Sequence, residues 1–263
     1  MPTNPVDHID KPRYSGKIIR MPKDHALILA AGRGLRLKSV APDTPKCLVL
    51  VGGKPILEHQ IVALEKQGIT NITIVVGYLS QMVEDFVRFR FPHLSVDFVY
   101  NAQFHENNII SSHKGGTKME ATRYVLQLDA DVIFDADLIG KLITQEPGRD
   151  YVAAAYRQCG KEEMKILLHS DGTIRSINKS INPSDAIGEA LGINVFTAAT
   201  WKKFQDYTKT QSEEYPHEFY EYTMERMIAD GHRFYPLNIH PYRAIDVDFP
   251  DDLESARSLF KEW

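Results

Sequence analysis

The sequence predicts an α/β fold: one domain on a mixed, mostly parallel sheet flanked by helices, with a strand-rich second half. Three observations carry that prediction. Short, wholly apolar runs such as ALILAA (residues 26–31) are bounded by turns, as strands buried on both faces are. Segments with helical spacing of apolar residues lie between these runs, and alternation of strand and helix implies parallel strands covered on both sides. After Tyr151 the texture shifts to strand-like runs joined partly by turns.

Taken in order, ALILAA opens the domain. In KPILEHQIVALEKQG (54–68), Ile56, Leu57, Ile61 and Leu64 share one helical face and Gly68 is placed at the C-cap. NITIVVGY (71–78) reads as strand, SQMVEDFVRFRF (80–91) as helix and VDFVYN (96–101) as strand. VLQLDADVI (125–133) reads as one buried strand, followed by a helix near 136–146. Beyond it YVAAAY, MKILLH, TIRSINK and ALGINVFT read as strands, with a turn at Ser170-Asp171-Gly172. Helices are expected at about 198–209 and 217–230, strands near 234–248, and a closing helix in PDDLESARSLFKEW. Residues 1–24 lack periodicity and are assigned as an arm or tail. The domain is read as 25–263, with halves at 25–150 and 151–263, since no linker-like composition, repeat or low-complexity tract separates them.

Composition narrows the function classes. The chain of 263 residues is 43% hydrophobic with a net charge of −4, which argues against a general nucleic-acid or anionic-membrane binder. No run approaches the roughly 18 apolar residues of a membrane span. The polar N-terminus lacks the apolar core of a signal peptide, so a cytoplasmic location is expected. Cys47 and Cys159 give neither metal spacing nor a disulfide framework.

The stretch ALILAAGRGLRLKSVAPDTPK (26–46) ends a strand on Gly32-Arg33-Gly34 and gathers Arg33, Arg36, Lys38 and Lys46. Small residues let backbone N–H groups approach a phosphate, and the cations neutralise its charge. Two familiar loops fail at the same position. The dinucleotide pattern G-x-G-x-x-G and the P-loop pattern G-x-x-x-x-G-K-[ST] both need a glycine where Leu37 stands, although Lys38-Ser39 fit the second. Further on, Asp129 and Asp131 stand two apart at a strand end, which places them on one face of an extended chain.

As written, the loop resembles the signature of the nucleotidyltransferases that make NDP-sugars and CDP-alcohols. Leu29, Ala30, Ala31, Gly32, Gly34, Arg36, Pro45 and Lys46 carry the likeness. Leu128-Asp129-Ala130-Asp131-Val132 and Ile245-Asp246-Val247-Asp248, running on to Asp251-Asp252-Leu253, extend it. The resemblance implies a Rossmann-like nucleotidyltransferase fold, with Leu29, Ala30, Ala31, Gly32 and Gly34 against a nucleoside triphosphate. Arg36 and Lys46 become the catalytic cations, and Asp131 and Asp248 the ligands of Mg²⁺. Asp129 is placed beside the nucleotide, as a partner of that site or a cap on neighbouring backbone. Asp251 and Asp252 are read only as charge at a helix N-terminus.

Within that group the chain is most similar to the phosphocholine and phosphonate cytidylyltransferases, over roughly residues 25–260. YNAQFHENNIISS (100–112) and the segment MKI…DG…INKS…GEALGINVF (164–196) carry this closer likeness. It implies CTP as substrate, Gly77 and Tyr78 beside the base, and Asn107 and Asn108 on base or ribose. It also implies Lys179 as a clamp on a small phosphorylated or phosphonate acceptor. Glu189, a carboxylate in an apolar strand, is expected to bind a cation or hydroxyl, or else to close a salt bridge. Asp-Ala-Asp favours this group over the sugar-phosphate uridylyl- and thymidylyltransferases, which more often carry Gly-Asp. His113-Lys114-Gly115-Gly116 departs from the family pattern, where an apolar helix usually continues. Tyr215, Phe219 and Tyr222 (i, i+4, i+7) read as one packed helix face rather than an aromatic cage. In the implied reaction the acceptor's own anionic oxygen attacks the α-phosphorus, so neither a nucleophilic side chain nor a general base is needed. A sugar-1-phosphate nucleotidyltransferase using UTP, GTP or dTTP is the alternative, and a nucleotide sensor without turnover is the alternative of another class. A homodimer is left open.

Overall fold

The computed structural model describes residues 24–119 and 123–261. The arm assigned to 1–24 therefore lies, but for Asp24, outside the described residues. The first half contains β1 (His25–Ala30), β2 (Leu50–Val51), β3 (Lys54–Pro55), α1 (Ile56–Lys66), β4 (Asn71–Val76), α2 (Ser80–Arg90), β5 (Val96–Tyr100), α3 (Ile109–Gly116), β6 (Tyr124–Asp129), β7 (Val132–Phe134) and α4 (Asp137–Ile143). The second contains β8 (Asp150–Ala155), β9 (Lys165–Leu168), β10 (Ile174–Asn178), β11 (Gly188–Thr197), α5 (Ala198–Glu214), α6 (Glu221–Ala229), β12 (Phe234–Asn238), β13 (Ala244–Asp246) and α7 (Pro250–Leu259).

Nine strands form one mixed sheet in the order β10-β9-β11-β6-β1-β4-β5, with β8 bridging β11 and β12. β6, β1, β4 and β5 run parallel, and β11 joins β6 antiparallel. Alternation along β1 explains its wholly apolar sequence: Ala26, Ile28 and Ala30 pack into one core, and Leu27 and Leu29 into the other. The first core takes Leu57, Ile61 and Leu64 of α1, with apolar residues of α2 and α4. The second takes Trp201 and Phe204 of α5 and Met224 and Met227 of α6.

Local chemistry sets the ends of the elements. After α1, Gly68 adopts a φ of +72°, its N–H bonding to the Glu65 carbonyl at 2.8 Å and that of Ile69 to Leu64 at 3.0 Å. This is the left-handed glycine ending expected at that position. Gly172 turns β9 into β10 with a φ of +83°.

Several expectations are corrected. The single strand 125–133 is two, because Ala130-Asp131 breaks it and β7 leaves the main sheet to pair with β13. The helix near 136–146 is shorter, whereas the strands expected near 234–248 are present as β12 and β13, on either side of a turn around His240-Pro241. The helix expected from 198 to 209 runs on to Glu214, and that expected at 217 begins at Glu221. Tyr215, Phe219 and Tyr222 therefore share no helix; Tyr215 and Tyr222 touch across the turn with ring centres 5.3 Å apart. His113-Lys114-Gly115-Gly116 does not interrupt a helix but completes α3. A Cβ on Gly115 would collide with Leu27 and lie 2.6 Å from Cγ2 of Val75, so the glycine lets α3 lie flush on the sheet. Among the described residues no helix is long and apolar enough to cross a membrane.

Candidate active site

From β1 the chain goes to β4 on one side, and only later returns to β6 on the other. Leu29 stands opposite Asp129 in that parallel pair, so the glycine loop and the Asp129–Asp131 turn leave the same edge. A crevice outside the carboxyl ends of strands, where connections part in opposite directions, is where open α/β sheets bind ligands. A cleft of about 680 Å³ opens there.

The loop is built for close approach. Gly34 has a φ of +55°, and a Cβ on it would lie 2.9 Å from Cβ of Lys46, so the glycine lets Pro45-Lys46 fold back across the loop. The ammonium of Lys46 then donates to Oδ2 of Asp131 at 2.6 Å and to Oδ1 of Asp248, and stands 3.8 Å from Oδ1 of Asp246. Arg36 donates to the other Asp248 oxygen at 2.8 Å, its guanidinium 4.9 Å from the centre of the Phe249 ring.

Pairing of β7 with β13 creates this cluster. Val132 stands opposite Asp246, and the Val247 N–H bonds to the Asp131 carbonyl at 3.1 Å. Asp246 and Asp248, two apart, thus arrive beside Asp131, and the three offer carboxylate oxygens within 4.8 Å of one another. Asp252 fixes the far end, its carboxylate accepting from the N–H groups of Asp248 at 3.1 Å and Phe249 at 2.7 Å. Burial opposes charge on Lys46, but the three carboxylates outweigh it and hold its proton above the usual lysine range. Burial likewise opposes ionisation of Asp248, and Lys46 and Arg36 win, pulling its carboxyl below the usual range. Asp246 is pushed well up, by burial and then by the charge of Asp131. Its buried Oδ1 accepts no hydrogen bond. Three hard oxygen donors, one of them unsatisfied, fit a divalent ion of the Mg²⁺ type.

The remaining predicted residues divide into two groups. Leu29, Ala30, Ala31, Gly32, Gly34, Asn107, Asn108, Asp129, Lys179 and Glu189 line the cleft. Gly77 and Tyr78 do not: they stand behind the loop, where a Cβ on Gly77 would lie 2.8 Å from the Ala31 carbonyl oxygen. The Tyr78 N–H bonds to that same oxygen at 2.9 Å, so the pair buttresses the loop. Asp129 faces Asn108 Nδ2 at 3.4 Å and the Tyr220 hydroxyl at 3.3 Å, while Asn108 Oδ1 accepts from the Tyr220 N–H at 3.0 Å. Burial, then the charges of Glu221 and Asp131, push the Asp129 carboxyl well up. Asn107 donates to the His217 carbonyl. Lys179 lies over the Phe219 ring at 4.8 Å. Glu189 closes the salt bridge its burial demanded, with Arg157.

Sequence reasoning missed Asp246, Arg157, Tyr220 and Glu221. Asp246 had a signal, the same two-residue spacing to Asp248 that drew attention to Asp129 and Asp131. Glu221 borders the cleft, and burial pushes its carboxyl up to about 7.

A small-residue loop facing two cations and a carboxylate trio at a sheet's carboxyl edge is the equipment of nucleotidyl transfer. The chain belongs to the MobA-like NTP transferase domain family, whose profile matches residues 26–214, and it is a nucleotidyltransferase. It is 30% identical over 242 residues to a 2-aminoethylphosphonate cytidylyltransferase of Lancefieldella rimae, covering 90% of this chain and 91% of that protein. A choline-phosphate cytidylyltransferase of Streptococcus pneumoniae is 31% identical over 179 residues, covering 68% of this chain and 72% of the relative. In fold, the inositol-1-phosphate CTP transferase from T. maritima superposes with a TM-score of 0.76 at 18% identity, over 92% of this chain and 97% of that one. The resemblance read from the loop and its partner motifs holds, as does the fold class.

Proposed function

We propose that the chain is a Mg²⁺-dependent cytidylyltransferase that joins CTP to a small phosphate or phosphonate acceptor and releases pyrophosphate. One observation carries the reading: Lys46 and Arg36 meet Asp131, Asp246 and Asp248 at the mouth of the glycine loop. Cytidine and a phosphonate or phosphate acceptor are supported by relatives named for those substrates, one of them spanning nearly the whole chain.

The acceptor's anionic oxygen forms a bond to the α-phosphorus while the bond from that phosphorus to the bridging oxygen of the β-phosphate breaks. The electron pair leaves with pyrophosphate. Backbone N–H groups at Ala31 to Gly34 receive the triphosphate, and Arg36 and Lys46 stabilise charge on the leaving group. Asp131 and Asp248, joined by Asp246, would hold Mg²⁺, which supplies charge neutralisation on the phosphates. Lys179 and Arg157, which also line the cleft, bring the acceptor's anion within reach. Cys47 also borders the cleft, but burial pushes its thiol up to about 12, so it stays protonated and is no nucleophile.

The test is pyrophosphate release from CTP, UTP, GTP, dTTP and ATP, each with 2-aminoethylphosphonate, phosphocholine, phosphoethanolamine and glucose 1-phosphate. Release with CTP and a phosphonate or phosphocholine-like acceptor is expected, abolished by EDTA and restored by Mg²⁺. Release confined to UTP, GTP or dTTP with the sugar phosphate would replace this reading with the sugar-nucleotide one.

A further inference from the structure

The carboxylate trio already carries a cation of its own. Lys46 donates to Asp131 and Asp248 and stands 3.8 Å from Asp246. Both oxygens of Asp248 already accept from a cation, Oδ1 from Lys46 and Oδ2 from Arg36 at 2.8 Å. A divalent ion bound through Asp248 would stand within repulsive reach of both of these cations. Lys46 is the one whose departure frees oxygens on two carboxylates at once. It is also the better confined, with a side chain 13% exposed against 47% for Arg36. Lys46 is anchored beside the glycine loop, where a Cβ on Gly34 would lie 2.9 Å from its own Cβ, so the loop stays within reach of its side chain.

We infer that Lys46 is a resident counter-cation of the trio, and that loading of the divalent ion displaces it toward the nucleotide's phosphates. The inference rests on the reading that a divalent ion binds at Asp131, Asp246 and Asp248. Three carboxylates this close repel one another strongly without a cation, so Lys46 keeps the ligand set assembled. The same ammonium repels an ion that uses those oxygens, so the free protein binds metal weakly. Metal entry and delivery of Lys46 to the triphosphate become one event. The nucleotide-free site is thereby biased against holding an ion alone.

The experiment measures Mn²⁺ binding to the nucleotide-free, full-length protein by the electron paramagnetic resonance of free Mn²⁺. Wild type is compared with K46M, K46Q and K46R, and with D131N in the wild-type and K46M backgrounds. K46M should bind Mn²⁺ roughly tenfold or more tightly than wild type, because the competing cation is gone. K46R, which keeps the charge, should stay within a few-fold of wild type. K46Q carries the comparison should K46M fail to fold. Equal affinities for wild type, K46M and K46Q, with binding lost on D131N in both backgrounds, would overturn the counter-cation inference and leave the metal reading standing. Mn²⁺ binding indifferent to D131N would overturn both.

Discussion

At the scale of single residues, the site is a problem in placing like charges close together. Asp131, Asp246 and Asp248 are tolerable neighbours only because Lys46 and Arg36 sit among them. If those cations also stabilise the departing pyrophosphate, Lys46→Ala should lower turnover at saturating substrate by about two decades or more, as loss of a preorganised charge does. Steady-state kinetics decides this, and near-wild-type turnover would remove Lys46 from the chemistry. Much of this was legible in sequence, because Gly32, Gly34, Arg36 and Lys46 lie in one contiguous stretch whose spacing carries its meaning. Asp246 shares its motif with Asp248, yet only the register of β13 against β7 puts it beside Asp131. Arg157 and Tyr220 act through partners 32 and 91 residues away, which no local pattern encodes. Gly77 and Tyr78, expected beside the base, stand at the back of the loop instead, because adjacency in a sheet does not say which side of a loop a residue takes.

At the scale of elements, the misread segments are those where tertiary contact overrides local pattern. VLQLDADVI looks like one strand because its apolar residues continue past Asp129; the chain turns there because β7 has a better partner in β13. His113-Lys114-Gly115-Gly116 looks like a helix breaker, yet Gly115 and Gly116 are where α3 approaches Leu27, Val75 and Gln205 most closely. Close packing rather than backbone freedom explains them. Gly115→Ala, ordinarily favourable in a helix, should therefore destabilise the protein by about 1–3 kcal/mol as an overpacking change, measured as a fall in Tm. A Tm at or above wild type would show that α3 can rise from the sheet without cost. Gly192, with a φ of +64°, marks the irregularity in β11 where the strand passes Asp129, and a Cβ there would lie 2.9 Å from Cβ of Asp129. Gly192→Ala should displace that carboxylate and its Asn108 and Tyr220 contacts, raising KM for the nucleotide as well as lowering Tm. An unchanged KM beside a large fall in Tm would reduce Gly192 to a structural role.

At the scale of the whole molecule, the last third of the chain returns to complete a site begun by the first. Arg243 holds that return in place, binding both oxygens of Asp135 and the Leu259 carbonyl at 2.6 Å, so it ties the end of β7 to α7. Burial opposes ionisation of Asp135, but the bonds from Arg243 outweigh it and hold its carboxyl below the usual range. A carboxyl with a depressed folded-state pKa contributes stability above its unfolded pKa of about 3.9 and loses it as pH falls through the folded value. Asp135→Asn should thus lower Tm at pH 7 by about 2–4 °C, the order of 1 kcal/mol for a partly exposed pair, and the difference should shrink as pH falls below the unfolded pKa and vanish only below the folded one. A difference independent of pH would mean that shape rather than charge matters at this position. The central claim, transfer of a cytidylyl group to a phosphonate or phosphate oxygen, is tested most directly by ³¹P NMR of CTP, 2-aminoethylphosphonate, Mg²⁺ and the protein. Pyrophosphate should appear in step with two mutually coupled resonances of a new phosphonate–phosphate anhydride. Accumulation of CDP with inorganic phosphate, or of CMP with an uncoupled phosphonate, would contradict the account.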